Sequence, residues 1–69
     1  MYKDGALYRA MVDGILAQRI LDGDPTAHGP KDPEVLKALV AQGKRVEERC
    51  RQLGKLETIE RAKQNAERR

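Results

Sequence analysis

Four chain breakers crowd into one short stretch of this sequence and divide it. Gly23, Pro25, Gly29 and Pro30 lie between a first stretch with no proline and a second whose one proline is Pro33. Proline lacks the amide that a helix or a central strand needs, and it holds the residue before it out of the helical region. Regular structure must therefore stop near residue 22 and restart near residue 33.

Both flanks read as helices. In the first, Asp4 can accept the orphan amides of the opening turn. Gly23 suits the left-handed position that closes a helix. The expected first helix spans 5–22, and the loop spans 23–32. The second flank opens on Asp32 as N-cap, with Pro33 at the first helical position, where its missing amide costs nothing. Glu34 follows at the positive end of the helix dipole. No proline occurs beyond it, so the expected second helix runs over 33–67. Gly43 and Gly54 weaken that helix by about 1 kcal/mol each relative to alanine.

The apolar residues give each helix a different character. Leu36, Leu39, Gly43, Val46, Cys50 and Leu53 recur at alternating spacings of three and four, an a/d seam of about three heptads. Gly43 and Cys50 are small, so a facing helix can come close there. Such a seam serves either against the first helix or between subunits. After Leu53 the phase slips by one residue, about 100° around the helix. The next apolar positions are Leu56, Ile59, Ala62 and Ala66, and Gly54 sits at the slip. Either the helix kinks there or its end faces another surface.

The first helix has apolar residues on most sides. Leu7, Met11, Gly14 and Leu21 share one side, and Tyr8, Val12, Ile15 and Leu16 share another. A helix of that kind needs cover on several sides. A single antiparallel partner covers one. A second helix of about 35 residues, roughly 52 Å long, also overhangs the first, at about 27 Å. With 69 residues, one cysteine and one histidine, the chain has no disulfide or Cys/His zinc staple of its own. These features predict an all-α fold: a single domain over 1–69, an antiparallel two-helix hairpin that dimerises into an assembly like a four-helix bundle.

Chemistry is sparse. Cys50 with His28 is the only available thiol–base pair, and one lies in the seam while the other lies in the loop. The loop acids Asp22, Asp24 and Asp32 fit no calcium loop, and no strand precedes a glycine as a phosphate loop requires. No catalytic residue, metal site or cofactor is expected. Met1-Tyr2-Lys3-Asp4-Gly5 does not read as a secretion leader. No apolar run approaches the ~20 residues of a membrane span. A cytoplasmic setting without membrane association follows as the expectation.

Charge leaves nucleic acid as the alternative partner. The net charge is +3. Lys44, Arg45, Arg49, Arg51 and Lys55 cluster on the second helix and could track phosphates in a dimer. Glu47, Glu48, Glu57, Glu60 and Glu67 interrupt them, and Tyr2 and Tyr8 are the only aromatics, so stacking platforms are few. The stripe Leu36-Leu39-Val46-Cys50-Leu53 on a short dimerising hairpin resembles the Rop family of RNA-binding plasmid regulators. That resemblance implies a dimeric nucleic-acid-binding regulator.

The size, the two-helix plan and the over-apolar first helix also resemble the small phage-encoded quorum-sensing anti-activators of Pseudomonas phages. That resemblance implies a non-enzymatic homodimer that inhibits a bacterial host protein such as a LuxR-type transcription activator. The leading expectation is accordingly a protein-binding inhibitor or adaptor. Its contact strip is expected at Tyr8, Val12, Ile15 and Arg19, which mix aromatic, aliphatic and guanidinium groups on one face. A second contact is expected at Leu56 and Ile59. The dimer or core seam is expected at Leu36, Leu39, Val46, Cys50 and Leu53.

Overall fold

A computed structural model describes residues 5–68, which form three helices: α1 (Gly5–Leu21), α2 (Pro33–Gln52) and α3 (Leu56–Arg68). All regular structure among the described residues is helical. No described helix is long and apolar enough to cross a membrane. Asp4, the expected cap of α1, lies outside the described residues.

The first two boundaries follow from the local chemistry. α1 closes with Gly23 at φ 86°. Its amide donates to the Ile20 carbonyl at 3.0 Å, and the Asp24 amide donates to the Arg19 carbonyl at 3.0 Å. This paired pattern satisfies carbonyls that the helix end would otherwise leave open. At the start of α2, the Asp32 carboxylate accepts from the Glu34 amide at 2.9 Å, with Pro33 beside it in the first turn.

The expected single helix over 33–67 is two helices. Gly54 adopts φ 73°. Its amide donates to the Arg51 carbonyl at 3.1 Å, and the Lys55 amide donates to the Cys50 carbonyl at 2.7 Å. The chain thus repeats at Gly54 the closing pattern it uses at Gly23. The phase slip marks a turn back of the chain rather than a kink, since Lys63 of α3 returns to Glu47 of α2. The longest axis of the described residues is 32 Å, well short of the roughly 52 Å that a straight second helix would need.

That reversal changes the architecture from a hairpin to a three-helix bundle with α1 at its centre. α1 packs against both α2 and α3, which touch each other much less. Met11 and Val12 of α1, Cys50 of α2, and Ile59, Ala62 and Ala66 of α3 form one buried cluster. Leu7, Tyr8, Ile15, Leu16 and Val46 pack around it. The second apolar side of α1, which pointed to another subunit, is covered by the chain's own last helix. Alanines at positions 62 and 66 let α3 lie close to α1.

The α1–α2 crossing is also tight. Gly14 and Gly43 face each other, so that a Cβ placed on Gly14 would sit 2.9 Å from the Gly43 Cα. This is the close approach that the small residue at 43 permits.

Candidate functional site: a groove at the junction of the three helices

The tight crossing shapes an apolar concavity. Where Gly14 meets Gly43, α1 and α2 are pinned together. A groove of about 280 Å³ opens between α1, α2 and α3. Its floor is apolar, with Met11 and Ile15 from α1, Val40 from α2, and Ile59 and Ala62 from α3. Around the floor stand Gln18 and Arg19 of α1, Lys44 and Glu47 of α2, and Lys63 of α3. Three cations and one carboxylate make the surround net positive.

These polar groups hold the helices as well as lining the opening. Lys63 Nζ lies 3.2 Å from Glu47 Oε1, an ion pair that ties α3 to α2. Arg51 reaches the same Glu47 oxygen at 3.5 Å and Glu48 at 3.6 Å. Arg19 Nη1 donates to the Ala66 carbonyl at 2.6 Å and so satisfies a backbone acceptor near the end of α3. Asn65 Nδ2 donates to the Tyr8 hydroxyl, a second tie between α3 and α1.

The residues expected to meet a partner divide between inside and outside. Tyr8, Val12, Ile15 and Arg19 were expected as one exposed strip, and burial corrects this. Val12 is 1% exposed, Tyr8 and Arg19 are bonded to α3, and of the four Ile15 and Arg19 line the groove. The strip is the face that α1 turns to α3. Leu56 and Ile59 also separate: Leu56 is 63% exposed, whereas Ile59 is 6% exposed and belongs to the core. Of the seam, Leu36 and Cys50 are buried, Leu39 and Val46 are half-buried, and Leu53 is 50% exposed. The seam therefore runs from the core to the surface.

Val40, Lys44 and Lys63 escaped sequence reasoning as groove residues. For Val40 and Lys44 the signal is present on α2, where positions 40, 44 and 47 follow one face beside the seam. Without the reversal at Gly54 there was no third wall to make that face concave.

The remaining chemistry is quiet. Cys50 is buried and His28 stands in the exposed loop. No group of three or more His, Cys, Asp or Glu residues among the described ones can hold a metal ion. In the loop, the Thr26 hydroxyl donates to Asp24 Oδ1 at 2.7 Å and the Thr26 amide donates to it at 2.9 Å. These bonds hold the Asp24 carboxyl below its ordinary value of 3.8. They order the turn after α1 and make no binding site. Comparison with protein-family models, curated proteins and solved structures found no match.

Proposed function

We propose that this chain is a non-enzymatic, protein-binding regulator that works through the three-helix groove. The observation that carries the reading is the groove itself: an apolar floor, open to solvent, ringed by charged groups. A pocketed apolar centre with a polar rim is how protein interfaces concentrate their binding energy. Leu53 and Leu56, both strongly exposed on either side of Gly54, extend the apolar surface available to a partner.

Catalysis has little to draw on, because the thiol is enclosed in the core and the imidazole lies in the loop. Part of the basic cluster on α2 is engaged: Arg51 is paired with Glu47 and Glu48. This favours a protein partner over a nucleic acid. A chain this small regulates by covering a surface of its target, and inhibition of a transcription activator is one role of that kind.

The test is site-specific photo-crosslinking in cells that naturally make the protein. A benzophenone side chain at Lys44, in the groove, should give discrete protein adducts. The same group at Lys37, exposed on α2, should not. Val40→Glu, which puts a carboxylate in the floor, should abolish the Lys44 adducts while the helical circular dichroism is kept. Equal adducts from both positions, or adducts indifferent to Val40→Glu, refute the groove as the binding surface.

A further inference from the structure

We propose that the groove is occupied by a second copy of this chain, each copy inserting its Leu56 into the groove of the other. The inference rests on the reading of the groove as a protein-binding surface and names its partner. Among the described residues Leu56 is the most exposed of the large apolar side chains, at 63%. It stands on the first turn of α3 with most of its surface in solvent. The groove offers an apolar floor of the right character and enough volume for a leucine side chain.

Charge complementarity selects the same pair. Glu60 lies one turn beyond Leu56 on the same face of α3, and Glu57 is its neighbour; both are exposed. At the mouth of the groove Lys63 is paired with Glu47 and Arg19 bonds the Ala66 carbonyl, while Lys44 stands exposed. An apolar side chain beside two acids thus meets an apolar floor beside an exposed base, and both halves belong to one sequence.

Placement makes the pairing reciprocal. Leu56 and Lys63 are two helical turns apart on one face of α3, about 10 Å along its axis. The projecting leucine therefore stands on the same side of the molecule as the groove mouth. A projection and a socket on one face can be exchanged across a two-fold axis, which closes as a dimer. On opposite faces they would propagate as an open chain.

The test is sedimentation velocity of the full chain from low micromolar to millimolar concentration. The wild type should move from one 7.8 kDa unit to twice that mass as concentration rises. Leu56→Lys changes an exposed residue, so its circular dichroism should match the wild type. It removes two leucine contacts per dimer, so the dissociation constant should rise roughly a hundredfold. Lys44→Glu and Glu60→Lys should each weaken the dimer, and the double variant should recover it. A wild type that stays monomeric to millimolar concentration overturns the proposal, as does a dimer unaffected by Leu56→Lys. A monomer that still gives Lys44 crosslinks to another protein would overturn only the second copy as occupant and leave the groove reading standing.

Discussion

Replacing Gly14 with alanine sets two opposite forces against each other, and the structure says which wins. Alanine in a helix interior is favoured over glycine by about 1 kcal/mol. On an open helix face that gain would be the whole effect. At Gly14 the new methyl would lie 2.9 Å from the Gly43 Cα and 3.1 Å from the Leu39 carbonyl oxygen. Both are backbone atoms, which cannot rotate away, so α1 and α2 must move apart. Overpacking of this kind costs about 1–3 kcal/mol. The net effect is a loss of about 1 kcal/mol, which lowers the melting temperature of a domain this size by about 4–8 °C.

Urea and thermal unfolding followed by circular dichroism measure it. Gly14→Ala and Gly43→Ala should each destabilise, and the double variant should lose more than the sum, because the two methyls would compete for one gap. Gly54→Ala is the informative control. Nothing lies within 4 Å of a Cβ there, but φ is 73°, so its loss comes from left-handed backbone strain of about 1–2 kcal/mol. Asparagine tolerates that conformation, so it should be milder than alanine at 54 and worse than alanine at 14. A rise of several degrees for Gly14→Ala would show that the helices do not meet at this point.

Three further outcomes follow from the same geometry. Arg19→Ala removes the bond to the Ala66 carbonyl, worth about 1.5–3 kcal/mol for a charged donor; amide exchange over residues 62–66 should accelerate while α2 keeps its protection. Cys50, fully buried, should react with a thiol reagent only as fast as the bundle opens, and Cys50→Ser should destabilise by about 1–3 kcal/mol by enclosing a hydroxyl. The Asp24 carboxyl titrates below 3.8 in the folded chain, so its contribution to stability is present above that value and is lost as pH falls through the lowered one; a carboxyl-resolved NMR titration should show this, and Thr26→Val should move the midpoint upward.

How much of this could be read from the residues depended on whether the signal was local. The breakers at 23–30 and the Asp32-Pro33 cap are local, and they place the loop and the start of α2. Gly54 was visible as the point where the apolar phase slips, but its conformation was not. Gly43 and Gly54 are the same residue type in the same polar, helix-favouring stretch. One stays helical because α1 presses on it, and the other turns left-handed because the chain doubles back. That difference is tertiary. A straight second helix leaves α1 with a second apolar side without cover and puts the strip from Tyr8 to Arg19 on the surface. The groove was hidden for the same reason, since one of its three walls is α3.

The central position of α1 has a consequence for how the protein is made. The ribosome delivers α1 first and α3 last of the three helices. Until Ile59, Ala62 and Ala66 emerge, Met11 and Val12 have only α2 to shelter them, and domains in such half-finished states are prone to aggregate. A chain halted at Gly54 would carry a complete helical hairpin and still leave one face of its earliest helix bare. The thirteen residues of α3, mostly polar, are therefore what makes the seventeen of α1 safe in water.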